Sequence, residues 1–186
     1  MKPTKLIHNF FGHLHTINTH KLMVMKHCFR VGLYKQGLLH DLSKYTPTEF
    51  IPGVIYYQEG SRSPNNAQRE SKGYSAAWLH HKGRNKHHYE YWIDYSANGS
   101  DGSLVGMEMP IKYVVEMFCD RVAASKIYNK DKYTDRDSLD YYLKGRGHYI
   151  MHPKTEELLY KLLKMLAEKG EDYTFEYIKR NVLHKK

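Results

Sequence analysis

Cysteine is scarce in this chain of 186 residues, which contains only Cys28 and Cys119. Two cysteines are too few to form the disulfide framework that stabilises many small secreted proteins. Both lie in apolar segments with helical character, so we expect buried, reduced thiols. The sequence therefore excludes a disulfide-based scaffold.

Long hydrophobic runs are also missing, since no stretch approaches the roughly 18 apolar residues of a membrane-spanning helix. The basic residues at the N-terminus are not followed by the apolar core and small-residue cleavage site of a signal peptide. We therefore expect no membrane partner and a cytoplasmic location. Hydrophobic residues make up 41 % and charged residues 26 % of the chain, which predicts one globular domain over residues 1–186.

Acidic residues are fewer than basic ones, and the formal net charge is +9. A basic surplus of this size favours polyanionic partners, such as nucleic acid or a phosphorylated substrate. The basic residues are scattered, apart from a cluster at Lys82, Arg84 and Lys86. Histidine, in contrast, is abundant, and seven of the 13 histidines fall in residues 20–40 and 80–88. Clustered histidines with nearby aspartates are typical of a metal site.

No segment has a convincing strand pattern, so we predict an all-α fold. Apolar spacing and helix-end residues predict helices over 20–31, 33–44, 47–58, 67–81, 86–93, 111–128, 134–144, 154–169 and 174–183. Thr19 is the expected N-cap of the first helix, and 59–66 and 96–106 are expected loops. The metal-site core is predicted to span 20–125, followed by C-terminal helices over 134–183.

His40 and Asp41 lie next to each other on the helix predicted over 33–44. Adjacent helical side chains point about 100° apart, so further ligands must come from other helices. His20 lies at about the level of His40 if the chain turns near Gly32, but the uncertain position of the turn leaves His27 as an alternative. Asp120 lies within an apolar helix, where an acid is costly unless it is paired or binds a cation.

A second group of histidines comprises His80, His81, His87 and His88. His80 and His87 are two helical turns apart, as are His81 and His88, so each pair could share a helix face, although Gly83 interrupts the helix. We expect at least two of the four to bind metal and favour His81 and His88, followed by His80. Imidazole and carboxylate ligands together suit Fe, Mn, Ni, Co or Zn, as one or two divalent ions.

The motif LLHDLSK at 38–44, together with Asp120, resembles the HD superfamily of metal-dependent phosphohydrolases, which is all-helical. The resemblance implies that His20, His40, Asp41 and Asp120 bind one ion, and that the later histidines bind a second. The chain also resembles small bacterial and phage HD-like proteins with segments like HDLSKYTPTEF, HHKGRNKHHYEYW and EMFCD. The first histidine of that set matches His20, which favours His20 over His27.

We therefore expect a phosphohydrolase that acts on a nucleotide or related phosphate ester through a metal-activated water. Asp41 and Lys44 are the candidate catalytic residues, and Lys82, Arg84 and Asn85 are candidates for binding the substrate phosphate. Glu49 and Glu116 are expected to orient ligand histidines. The alternatives are an HD-like di-iron oxygenase and a basic protein that binds nucleic acid or a partner and contains a structural metal.

Overall fold

The computed structural model describes residues 2–97 and 102–183, which are largely helical. The helices are α1 (Pro3–Arg30), α2 (Tyr34–Leu39), α3 (Pro47–Ile55), α4 (Pro64–Lys72), α5 (Ala76–Lys82), α6 (Ile111–Asn129), α7 (Asp137–Gly145), α8 (Pro153–Lys169) and α9 (Glu171–Tyr177). Short 3₁₀ turns cover Leu42–Tyr45, Tyr89–Trp92 and Lys130–Lys132, and a π-helical segment, Ile178–Leu183, continues α9. The all-α prediction is confirmed.

The structure also contains one small sheet, so the prediction that the chain lacks strands is wrong. Strand β1 (Ile93–Tyr95) pairs antiparallel with β2 (Leu104–Gly106), and Ile93 lies opposite Gly106. Strands of three residues are too short to produce a recognisable alternation of apolar and polar residues. Part of the predicted loop 96–106 is thus a strand, and its residues 98–101 lie outside the described residues.

Helix α1 is much longer than the helix predicted over 20–31, and Thr19 lies inside it rather than at its N-cap. Pro3 is in the first turn of α1, a position that tolerates proline because its missing N–H would have no helical partner. The buried face of α1 has helical spacing but includes polar side chains, among them Asn9, His13 and His20. Its first half therefore lacks the apolar periodicity on which the prediction depended.

The helix predicted over 67–81 is divided into α4 and α5. Gly73 ends α4 with a φ of 78°, a left-handed conformation that glycine adopts without steric cost. Serine caps both helices: Ser63 Oγ accepts a hydrogen bond from Asn65 N, and Ser75 Oγ accepts one from Trp78 N. These caps place the start of α4 within the predicted loop 59–66 and fix where α5 presents its histidines.

The apolar core lies mainly between α1, α6, α8 and α9. Four leucines of α8, Leu159, Leu162, Leu163 and Leu166, are fully buried there. Burying a leucine side chain contributes about 1.5–3 kcal/mol to stability. The predicted helices 111–128 and 154–169 are confirmed within a residue or so at each end, because both carry long apolar patterns.

No helix in the described ranges is suited to spanning a membrane. Although α1 has 28 residues, neither it nor another helix in 2–97 or 102–183 combines the length and apolarity needed to cross a bilayer.

Candidate metal centre

A first group of metal-ligand side chains brings together His20 of α1, Asp120 of α6, and His40 and Asp41 between α2 and the 3₁₀ turn. One ligand atom from each lies within 4.8 Å of the other three. His20 Nε2 is 2.8 Å from Asp120 Oδ1, and His40 Nε2 is 3.3 Å from Asp41 Oδ2. The structure thus brings together all four residues that the HD resemblance implied, and they come from three separate segments.

A second group combines Asp41 with His81, His87 and His88. His81 Nε2 and His87 Nε2 lie 3.3 Å and 3.4 Å from Asp41 Oδ1. Asp41 therefore belongs to both groups, with Oδ2 facing His40 and Oδ1 facing His81 and His87. Asp41 could therefore contribute one carboxylate oxygen to each group.

Two glutamates lie behind the histidines. Glu49 Oε2 is 2.7 Å from His81 Nδ1, while Glu116 Oε1 lies 3.0 Å from His40 Nδ1 and 3.2 Å from His87 Nδ1. This hydrogen-bond network assigns a proton to each Nδ1, which leaves the Nε2 lone pairs directed at Asp41. Glu49 and Glu116 thus lie within hydrogen-bond distance of the candidate ligand histidines that they were expected to orient.

Several polar atoms at the junction of the two groups have no hydrogen-bond partner within the described ranges. They are His40 Nε2, His87 Nε2, His88 Nε2 and Asp41 Oδ1, and all are buried. An unsatisfied buried polar atom costs about 1–3 kcal/mol. Nε2 lone pairs that face carboxylate oxygens also repel them, so the arrangement requires extra protons or a cation.

The charges in the cluster shift the pKa values of its members in opposite directions. Burial alone would lower the pKa of His40, but the carboxylates of Asp41, Asp120 and Glu116 outweigh it and raise this pKa well above its usual value. Burial would raise the pKa of Asp41, but His40, Lys44 and His81 hold it well below the usual value. At neutral pH and without an ion, His40 therefore carries the extra proton on its ring, while Asp41 is ionised and available as a ligand.

Asp41 has an unusual backbone conformation. Its φ of 54° and ψ of 27° are left-handed, a region that aspartate tolerates better than most residues. Helix α2 ends at Leu39, and Lys21 Nζ donates to the carbonyl oxygens of Leu38 and His40. The prediction of a continuous helix over 33–44 is therefore wrong: the chain leaves the helix at His40, which lets His40 and Asp41 converge.

A cavity of about 810 Å³ opens onto His20, Asp41, His81 and Asp120. Lys44 lines it, and its Nζ is 2.6 Å from Asp41 Oδ2. Burial would lower the pKa of Lys44, but the charges of Asp41 and Asp120 raise it above its usual value. Lys44 thus provides a fixed positive charge on the cavity wall beside the metal-ligand groups.

Other cavity-lining cations are Arg62, Arg69, Arg121 and Lys144. Arg62 forms an ion pair with Glu70, and the Arg69 guanidinium lies 5.6 Å from the centre of the Trp78 ring. The sequence prediction missed these residues. They come from separate parts of the chain, so no local motif links them.

The three residues predicted to bind substrate phosphate lie elsewhere. Arg84 and Asn85 line a separate recess of about 250 Å³, and Lys82 lines neither this recess nor the large cavity. Asn85 Nδ2 donates to Ser43 Oγ and to the His81 carbonyl oxygen, both at 2.8 Å. Asn85 therefore holds α5 against the 3₁₀ turn and does not point into the cavity.

Two candidate histidines are outside the ligand groups. His27 lies 3.3 Å from the Cys119 carbonyl oxygen through Nδ1 and 4.0 Å from Glu171 through Nε2. His80 Nδ1 is 2.6 Å from Glu49 Oε1, so the structure gives it a supporting position. His87, which was ranked below His80 in the sequence prediction, belongs to the second ligand group instead. The two-turn spacing between positions 80 and 87 does not apply, because α5 ends at Lys82.

Comparison with protein-family models identifies the family of this chain. A family model described as Family of unknown function (DUF5662) matches residues 9–165. This range includes both ligand groups, the two supporting glutamates and Lys44. Searches of curated proteins and of solved structures found no match.

Proposed function

The chain belongs to the DUF5662 family, and we propose that it is a metal-dependent phosphohydrolase that acts on a nucleotide or related phosphate ester. The observation that carries the proposal is the junction at Asp41, where two groups of buried imidazole and carboxylate atoms meet. Such a junction would destabilise a purely structural core, because burying imidazole and carboxylate groups without a cation is costly.

The residues fit a pair of divalent transition-metal ions. His20, His40, Asp41 and Asp120 would hold one ion, and Asp41, His81, His87 and His88 would hold the other. The unpartnered Nε2 atoms of His40, His87 and His88 support this assignment, since neutral imidazole nitrogens are ordinary ligands of Fe, Mn, Ni, Co and Zn. The resident metal would supply a water of lowered pKa and polarise a phosphoryl oxygen.

The chain's own side chains support phosphate-ester chemistry. Lys44 presents a permanent positive charge beside Asp41, and phosphoryl transfer requires positive charge near the equatorial phosphate oxygens. Arg121 and Lys144 line the same cavity and make no ion pair within residues 2–97 and 102–183. Arg121, whose guanidinium lies 5.8 Å from the centre of the Tyr149 ring, and Lys144 therefore have unneutralised charges that could bind a substrate phosphate. The cavity volume of about 810 Å³ is within the usual range for small-molecule sites.

The test combines metal analysis of the purified protein with a screen of generic phosphate esters and nucleotides. We expect bound transition metal and phosphate release, with kcat/KM reduced by more than about 100-fold in Asp41→Asn and Asp120→Asn. Asparagine keeps the size of the side chain and tolerates the left-handed conformation at position 41. The exposed Asp131 provides the control, because Asp131→Asn makes the same chemical change outside both ligand groups and the cavity lining.

Two other outcomes would replace the proposal. Oxygen consumption by an iron-loaded protein, without phosphate release, would assign the centre to oxygenation. Salt-dependent binding of nucleic acid that survives Asp41→Asn, with no turnover of the phosphate esters, would assign it a structural role.

A further inference from the structure

A recess of about 250 Å³ reaches the metal centre separately from the large cavity. It is formed by α2, the segment 84–87 and the first turns of α6, and its wall includes His87 and Glu116. Neither of these two residues lines the large cavity. The ligand cluster therefore has two distinct openings.

Four cations surround this recess: Lys35, Arg84, Lys86 and Lys112. All four are exposed, and none has an ion-pair partner among the described residues. The wall contains one carboxylate, Glu116, which is buried and already faces His40 Nδ1 and His87 Nδ1. The four cations and the one carboxylate together give the recess a net charge of +3.

This concentration of positive charge disfavours the folded state. Like charges around a small recess repel each other, and Lys112 lies in the first turn of α6, where a positive charge opposes the helix dipole. The first turn of α6 has no acidic residue to compensate. A bound anion would offset both effects.

We propose that the recess binds a compact anion with two or three phosphate groups, independently of the reaction in the large cavity. Arg84 can donate two parallel hydrogen bonds to one phosphate, and the three lysines act as point charges around the others. A volume of about 250 Å³ is below the roughly 300–1,000 Å³ of pockets that take drug-sized ligands. It suits a phosphate chain without a nucleoside.

The experiment is calorimetric titration of the full chain with inorganic imidodiphosphate, a diphosphate analogue that resists hydrolysis, in metal-free buffer. We expect binding that is weakened at least tenfold by Lys86→Glu and by Lys112→Glu. Lys72→Glu is the matched control, because Lys72 is an exposed lysine outside both openings and its replacement changes the net charge equally. Binding should weaken as salt increases.

Asp41→Asn separates this site from the metal centre, because Asp41 belongs to both ligand groups and does not line the recess. Binding at the recess should persist in that variant, even if the proposed phosphohydrolase activity is absent from the wild type. Absence of binding, or binding lost in Asp41→Asn and retained in Lys86→Glu, would overturn the proposal. Binding of a single-stranded oligonucleotide without binding of imidodiphosphate would also overturn it, because it would indicate an extended nucleic-acid surface.

Discussion

Glu49 contacts two imidazoles at once, His80 through Oε1 and His81 through Oε2. Burial would raise the pKa of Glu49, but the hydrogen bonds from His81 and His80 outweigh it and lower the pKa. An ionised Glu49 accepts both Nδ1 protons and leaves His81 Nε2 directed at Asp41. Glu49, which belongs to neither ligand group, is thus placed to control the orientation of a candidate metal ligand.

Replacing Glu49 with glutamine should weaken metal binding by about 10–100-fold. The glutamine NH₂ group is a donor, so it cannot accept the second Nδ1 proton, and one imidazole loses its orientation. Affinity is measured by competition with a metal-binding dye. Glu157→Gln, at an exposed position on α8, is the control, and equal affinities in the two variants would contradict the assigned role of Glu49.

His13 provides a separate residue-level prediction about pH. Burial, together with the nearby charge of Lys44, lowers its pKa to about 4, whereas an unfolded histidine titrates near 6.5. Between these values the unfolded chain binds more protons than the folded chain, so stability falls as the pH decreases from about 6.5 to about 4. Above about 6.5 the contribution is fully present.

His13 should therefore account for a loss of about 2 kcal/mol between pH 7 and pH 5. Urea unfolding at the two pH values, in the presence of a chelator, measures this loss. His13→Leu replaces the imidazole with a non-titrating apolar group of similar size and should reduce the pH dependence by that amount. The buried His27, with a pKa of about 4, leaves part of the pH dependence in place. An unchanged pH dependence in His13→Leu would contradict the prediction.

Helix α3 packs closely against α1 where Gly53 meets the His13 ring. A Cβ atom at position 53 would lie well inside the van der Waals distance of His13 Nε2. The gain of up to about 1 kcal/mol from replacing a helical glycine with alanine is therefore outweighed by overpacking. This contact sets how close α3, with Glu49 on it, lies to α1.

Gly53→Ala should destabilise the protein by about 1–3 kcal/mol, measured by chemical denaturation. Gly83→Ala is the control, since Gly83 also has helical dihedral angles and an added Cβ there meets only the carbonyl oxygens of its own helix. The cost should shrink in a His13→Ala background, where the ring is absent. The same cost in both backgrounds would show that the ring is not its cause.

The elements also show what the sequence can and cannot predict. Helices α6 and α8 were predictable because their buried faces are mainly apolar. The first half of α1 was not, because its buried face includes Asn9 and His13. At the site, the motif that contains His40 and Asp41 identified the residues, but not the left-handed backbone at Asp41. A non-glycine residue adopts that conformation because of contacts distant in sequence, and these leave no local pattern.

The basic cavity-lining residues illustrate the same limit. Arg84 was predicted to bind phosphate because it lies between ligand histidines in the sequence, yet it lines the separate recess. Arg121 is one residue after Asp120 and lines the large cavity. A residue next to a candidate ligand histidine or aspartate in sequence also lies near it in space. The sequence does not indicate whether its side chain faces the large cavity or the recess.

For the molecule as a whole, metal binding should raise thermal stability. A ligand that binds only the folded state at 100 times its Kd stabilises it by about 2.7 kcal/mol. For a chain of this size this corresponds to a rise in Tm of roughly 5–10 °C. Differential scanning calorimetry with and without Mn²⁺ measures the shift, which Asp120→Asn should largely abolish. Equal shifts in wild type and variant would place the bound ion elsewhere.

The contact between His20 and Asp120 joins residues that are 100 positions apart in the chain. An ion held by both would act as a reversible cross-link, with further attachment points at His40 and Asp41. Closing so large a loop removes many conformations from the unfolded chain. Release of the ion should therefore increase amide hydrogen exchange in α1 and α6 together, although neither helix contains the complete ligand set.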